Sequence, residues 1–248
     1  MFAWHRLAAR PGRPSAEPPG RGLQPISAGE RQDALLYVPK GSDPADPAPF
    51  ALMCHGAGSE ARAGIAPLLP LAEGCGLVLL AVDAHDYTWD LLLRNGDRDA
   101  QCFDALLEKA FTMVAVDPAR LAIGGFSDGA SYALSVGLAN GDLFSHVIAF
   151  SPGFAAPPSR HGAPRVFMSH GVHDEVLAID RCSRRVAAPL RDAGVDLRYE
   201  EFDDGHTVPA HLARASVEWL VGQDAGSPLV HEAPGEPGGP LSRPAGGL

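Results

Sequence analysis

A chain of 248 residues, 46% hydrophobic and 20% charged, has the composition of an ordinary globular protein, and its length suits one α/β domain with tails better than two domains. A formal net charge of −10 argues against nucleic acid as a partner, because phosphate binding needs a clustered positive surface. No apolar run approaches the length of a membrane span, and Cys54, Cys75, Cys102 and Cys182 are scattered without a C-x-x-C pair, as buried thiols are rather than a disulfide framework.

In chain order, residues 1–20 are rich in Pro, Gly and Arg and read as a flexible arm. The first residues lack the basic region and apolar run of a secretory signal, so a cytoplasmic location is expected. Two short strand patterns follow near Gly22–Ile26 and Asp33–Val38, joined by Ser27-Ala28-Gly29-Glu30 as a hairpin loop. Pro39 to Pro49 is a surface connection into a buried strand, Phe50–Cys54, which ends in His55-Gly56-Ala57-Gly58-Ser59. The spacing predicts a helix over Ala63–Glu73, broken by Pro67 and Pro70. Leu77–Val82 is a continuous apolar run, the pattern of a central strand covered on both faces, and the polar and aromatic loop Asp83–Asp90 comes after it.

Apolar residues then recur at helical spacing through Ala100–Val114 (Phe103, Leu106, Leu107, Ala110, Phe111, Val114), and Asp117-Pro118 ends the pattern. A strand through Leu121–Phe126 leads into a helix reaching Asn140. Val147–Phe150 and Arg165–Ser169 are strands separated by the Pro-rich loop Ser151–Pro158. A helix over Asp180–Ala193 stops at Gly194, Asp196–Phe202 is the last strand and Pro209–Val221 the last helix. The Gly/Pro/Ser composition of 223–248 predicts a disordered tail, which leaves 21–222 as the folded domain.

Strands alternating with helices predict a mostly parallel central sheet with helices on both faces. In such sheets the chemistry gathers beyond the strands' C-terminal ends. Every polar motif falls there: His55–Ser59, Asp83–Asp90, Ser127, His170–Asp174 and Asp203–His206. The most informative stretch is Gly125-Phe126-Ser127-Asp128-Gly129, a G-x-S-x-G run with a strand before it and a helix after it. A serine on that turn is pushed clear of the sheet at the positive end of the next helix. Glycines two residues to either side leave room where a Cβ would collide.

A serine hydroxyl needs a base to become nucleophilic, and the base needs an acid to orient it. Downstream of Ser127, the last strand delivers His206 in a Gly-His loop and the strand before it delivers Asp174, in the chain order Ser, acid, His. Ser127 is thus the candidate nucleophile, His206 the candidate general base and acid, and Asp174 the candidate orienting carboxylate. Glu175 is a rival for the acid, and Asp180 a weaker one. His170 and His173 share the acid's own loop and compete with it for space. His55-Gly56-Ala57-Gly58 resembles an H-G-G-G loop, whose glycines would let the Ala57 N–H face an oxyanion; the N–H of Asp128 is the expected second donor. Trp89, with Tyr87, is expected to wall the acyl pocket. His170-x-x-His173-Asp174 and Asp83-x-His85-Asp86 could offer ligands, but neither has a partner at the spacing of a metal site, so no metal or other cofactor is expected.

Gly-Phe-Ser-Asp-Gly-Ala-Ser from Gly125, Phe-Ser-Pro-Gly-Phe from Phe150, Thr88-Trp89-Asp90, His-Gly-x-x-Asp from His170 and Asp204-Gly205-His206 resemble the phospholipase/carboxylesterase branch of the α/β-hydrolases, close to dienelactone hydrolases and acyl-protein thioesterases. The resemblance spans about residues 20–222. It implies an α/β-hydrolase fold with little or no lid and a serine esterase acting on short-chain carboxylic esters, its partner a small-molecule ester. It carries catalysis onto Ser127, Asp174 and His206, and the oxyanion hole onto Ala57 and Asp128. Relatives often have Gln where Asp128 stands and Leu-Gly-Asp where Ala57-Gly58-Ser59 stands. Dienelactone hydrolases use Cys as nucleophile, so Ser127 argues against that activity. Thioester or amide hydrolysis by the same residues is the nearest alternative. A non-catalytic binding protein on a hydrolase fold is the alternative from another class, and an intact Ser127, Asp174 and His206 set argues against it.

Overall fold

The computed structural model describes residues 6–28, 31–43, 45–90 and 97–222. Among them eight strands make one sheet: β1 (Gly22–Ala28), β2 (Arg31–Val38), β3 (Ala48–Cys54), β4 (Val78–Val82), β5 (Val116–Phe126), β6 (His146–Phe150), β7 (Arg165–Gly171) and β8 (Leu197–Phe202). Their order is β1-β2-β4-β3-β5-β6-β7-β8. β1, β2 and β4 pair antiparallel, and every pair from β4 across to β8 is parallel. Six α-helices accompany them among the described residues: α1 (Ala61–Ile65), α2 (Leu69–Ala72), α3 (Arg98–Met113), α4 (Asp128–Ala139), α5 (Ser183–Asp192) and α6 (Ala210–Val221).

The period of two along each strand sorts the core into two layers. Phe50, Leu52 and Cys54 of β3 pack with Phe103 and Leu107 of α3 and Leu134 of α4. Ala51 and Met53, pointing the other way, pack with Ile65 of α1 and Val217 and Leu220 of α6. β4 reads Val-Leu-Leu-Ala-Val without a polar residue because both of its faces are covered. Burying a side chain of that size contributes about 1.5–3 kcal/mol, which a polar residue there would forfeit. This is the parallel sheet with helices on both faces that the alternation predicts.

Three local expectations change. The helix over Ala63–Glu73 is two short ones, α1 and α2, because Pro67 offers no N–H for a continuing helix; Pro70 sits in the first turn of α2, where a proline is tolerated. Asp117-Pro118 lies inside β5 rather than before it. Ala48 pairs with Val116 and Phe50 with Leu121, so the extra residues bulge out, and the Asp117 carboxylate holds the bulge by accepting from the Ala119 N–H at 2.9 Å and Arg120 Nε at 2.6 Å. The arm read as flexible over 1–20 is docked along its described part. Leu7 is only 2% exposed, and its N–H donates to Asn140 Oδ1 at 3.0 Å. Ala8 and Ala9 both donate to Asp104 Oδ1, and Arg6 and Arg10 close on Asp142 at 2.7 and 2.6 Å. An apolar residue between two cations gave the segment something to bury. The tail at 223–248 lies outside the described residues.

No disulfide joins any of the four cysteines, all of which lie among the described residues. No helix among the described residues is long and apolar enough to cross a membrane.

Candidate active site

At the C-terminal edge of the sheet, β5 runs into α4 through Ser127, whose backbone stands at φ 58° and ψ −122°. A side chain rarely adopts that region, and the neighbours hold it there. The Ser127 N–H donates to the Phe150 carbonyl at 2.9 Å, and its carbonyl accepts from Ala130 and Ser131 as α4 begins. A Cβ on Gly125 would stand 2.5 Å from the Gly129 backbone, and one on Gly129 would overlap the Cys54 and His55 carbonyls. Both glycines are therefore demanded by close backbone approach.

His206 arrives from the loop after β8. Its Nε2 lies 2.9 Å from Ser127 Oγ and its Nδ1 2.6 Å from Asp174 Oδ2. The Phe126 ring lies 4.6 Å from the imidazole, centre to centre, and limits its tilt. Two loops converge because β7 and β8 are zipped past their ends. Val172 N–H donates to the Phe202 carbonyl and His173 N–H to that of Asp204, at 2.9 and 3.0 Å. Gly171 passes so near the Asp204 and Gly205 carbonyls that no Cβ would fit.

Asp174 is buried, and three N–H groups donate to its carboxylate. Oδ1 accepts from the N–H groups of Val176 (2.9 Å) and Leu177 (2.7 Å); Oδ2 faces His206 and also His170 Nε2, at 3.2 Å. Burial works to raise its pKa, but the Leu177 and Val176 N–H groups and His206 outweigh it and hold the carboxyl below the usual range. An ionised carboxylate only accepts, so Nδ1 of His206 carries the proton and Nε2 presents its lone pair to the Ser127 hydroxyl. The rivals are elsewhere. Glu175 is exposed, Asp180 pairs with Arg184 at 2.7 Å, and His173 turns outward to Asp203 at 2.7 Å.

His170 is the residue that sequence reasoning undervalued. It is fully buried, with Nε2 2.7 Å from the Leu177 carbonyl and Nδ1 2.6 Å from Ser183 Oγ. Facing two acceptors, Nε2 must carry the proton, and Nδ1 accepts from Ser183. Burial lowers the His170 pKa, countered in part by the Leu177 carbonyl, Asp174 and Glu201, so the ring stays neutral. It adjoins Asp174 without displacing it. The alternation of Val166, Met168 and His170 along β7 was the available signal, since the first two face α4 and α5.

The loop over Ser127 is anchored by His55, which is buried: its Nδ1 donates to the Gly56 carbonyl at 2.7 Å and its Nε2 accepts from the Ala84 N–H at 2.9 Å. Ala57 is exposed on the next turn, and a Cβ on Gly56 would rest 3.5 Å from Ser127 Cβ. Asp128 opens α4, and its carboxylate accepts from Thr88 Oγ1 at 2.9 Å, tying the Asp83–Asp90 loop to the Ser127 turn. Trp89 is a correction. It is 0% exposed, stacked on Tyr132 at 4.9 Å with Nε1 donating to the His55 carbonyl, so it is core beneath the loop and not a pocket wall. A large ring whose N–H has a buried acceptor favours the interior. Tyr87 is 74% exposed and lies over Gly58.

Among the described residues no three His, Cys, Asp or Glu side chains cluster to hold a metal ion. No protein-family model matches the sequence, and no curated protein aligns with it. Solved structures do match. The esterase PE8 aligns over 80% of this chain and 98% of its own, with a TM-score of 0.62 at 22% identity. Esterase 2 of Thermogutta terrifontis in its butyrate-bound form aligns over 83% and 95%, at 0.64 and 18%. A Bacillus cereus carboxylesterase aligns over 75% and 92%, at 0.57 and 20%.

The chain has the fold of these esterases. It is an α/β-hydrolase fold, spanning nearly the whole of each neighbour's length.

Proposed function

We propose that this chain is a serine carboxylic-ester hydrolase in which Ser127 is the nucleophile, His206 the general base and acid, and Asp174 the orienting carboxylate. One observation carries the reading: a hydrogen-bonded chain of 2.9 and 2.6 Å joins Ser127, His206 and Asp174 at a serine held in strained backbone. As Oγ attacks the ester carbonyl carbon, Nε2 takes its proton, and the imidazolium is stabilised by Asp174. The oxyanion meets the N–H groups of Ala57 and Asp128 at the positive end of α4. His206 then protonates the departing alcohol, leaving an acyl group on Ser127. Water, deprotonated by His206, releases the acid and restores the serine.

The fold neighbours support the ester as substrate class, and the butyrate bound to the Thermogutta esterase supports a short acyl chain. A fluorophosphonate probe is expected to label Ser127 alone, and Ser127→Ala to abolish both labelling and turnover of p-nitrophenyl esters. Label recovered on Ser131 or Ser169 would sink the assignment. A chain-length series, run with matched thioesters and amides, reads out acyl length and leaving group.

A further inference from the structure

Between α4 and α5, roofed by residues 153–160, lies a cleft of about 480 Å³, within the size range of small-molecule sites. Neither Ser127, Asp174 nor His206 lines it. Its walls are apolar: Leu138 from the end of α4, Phe154 from the roof, and Val186 and Leu190 from α5. The roof is fixed to α4 by two serine hydroxyls. Ser131 Oγ accepts from the Gly153 N–H at 2.9 Å, and Ser135 Oγ from the Ala156 N–H at 3.0 Å. Each serine in turn donates one turn back along α4, to the Ser127 and Ser131 carbonyls. The cleft is thus built into the resting structure.

Three arginines line the same cleft, Arg160 from the roof, Arg181 from the turn before α5, and Arg185 from α5. Among the described residues none of the three pairs with a carboxylate, whereas their neighbour Arg184 takes both Asp180 (2.7 Å) and Glu201 (2.6 Å). The chain carries 30 acidic residues against 20 basic ones, so partners were not scarce. Gathering three cations without a counter-charge costs repulsion that an anion relieves, and the guanidinium fork suits carboxylate or phosphate oxygens. Beside apolar walls, the complement is a molecule with one charged end.

We propose that this cleft binds a small amphipathic anion, its carboxylate or phosphate on Arg160, Arg181 and Arg185 and its alkyl chain against Leu138, Phe154, Val186 and Leu190. The acid released by the proposed reaction belongs to that class, but the site stands independently of Ser127.

The test is calorimetric titration of the full chain with decanoate, decyl phosphate and uncharged decanol. Either anion is expected to bind with Kd below about 1 mM, the tighter one naming the head group, and decanol at least about tenfold more weakly. Arg181→Gln/Arg185→Gln should weaken the anion about tenfold or more, leave decanol unchanged, and keep the wild-type melting temperature. Val186→Trp, filling the cleft, should abolish binding, and added salt should weaken it because these cations are exposed. The proposal is overturned if no anion binds, or if binding is indifferent to the arginines. It is equally overturned if sedimentation shows the double variant splitting a dimer, which would make the cleft an interface between copies. Ester turnover measured on the same samples keeps the two readings apart, since a protein inactive toward esters could still bind the anion.

Discussion

His170 Nε2 and the Asp174 carboxylate are 3.2 Å apart, meeting at the same oxygen, Oδ2, that faces His206. Neutral His170 thus holds a ring N–H, donated to the Leu177 carbonyl at 2.7 Å, beside the carboxylate proposed to orient the base, and its removal should make Asp174 more basic. His170→Leu is expected to move the acid limb of the kcat/KM profile to higher pH, because Asp174 is then held less firmly in its ionised form. The groups facing His170 are Asp174, His206, the Leu177 carbonyl, Ser183 and Glu201 across from it on β8. His170→Gln, whose amide can both donate to Asp174 and accept from Ser183, should restore the limb. The Leu variant alone leaves Ser183 with only its long contact to the Pro152 carbonyl, 3.4 Å, and should lose up to about 1–3 kcal/mol of stability. Identical profiles in all three proteins would remove His170 from the orienting network.

Asp174→Asn should keep the fold yet favour the wrong imidazole tautomer, lowering turnover by up to roughly 10⁴-fold on the triad precedent. Glu175→Gln, altering an exposed charge, should cost less than about tenfold. Steady-state kinetics on both purified variants decides between them. The reverse order of losses would move the acid to Glu175.

Gly125→Ala places a methyl 2.5 Å from the Gly129 backbone, where nothing flexible can yield. Overpacking of this kind costs about 1–3 kcal/mol and occasionally more. Gly74→Ala is the control, since its new Cβ would meet nothing nearer than 3.8 Å. Thermal melts should show the first variant losing several degrees more than the second; equal melts would mean that the turn has room to relax.

His146 is buried on β6 beside Trp219, and burial together with Arg165 pushes its pKa down to about 4 against a slight opposing pull from Asp196. The folded protein keeps this ring neutral while the unfolded chain protonates near the ordinary value, about 6.5. Stability should therefore be full above pH 6.5 and fall as the pH drops towards 4, by about 3 kcal/mol from this residue. His146→Phe retains the ring contact with Trp219 and removes the titration. Urea unfolding at intervals from pH 7.5 to 4.5 should show a shallower acid slope in the variant, and parallel slopes would count against the assignment.

The sequence by itself determined the alternation of strands and helices, the edge of the sheet at which the candidate residues gather, and the turn at Ser127. Each is encoded locally, by a hydrophobic period of two or 3.6 residues or by glycines at fixed offsets. The order Ser127, Asp174, His206 was legible for the same reason, since each follows its own strand. Only the tertiary structure showed that Asp174, and not Glu175, meets His206. Adjacent residues share every sequence signal, and the choice lies in which one the zipped ends of β7 and β8 turn inward. The packing of the arm around Leu7, the burial of Trp89 against His55 and Tyr132, and the approach of His170 to Asp174 were likewise hidden. Each depends on contacts between segments tens of residues apart, and what a side chain touches across that distance is fixed by the sheet order rather than by its neighbours in the chain.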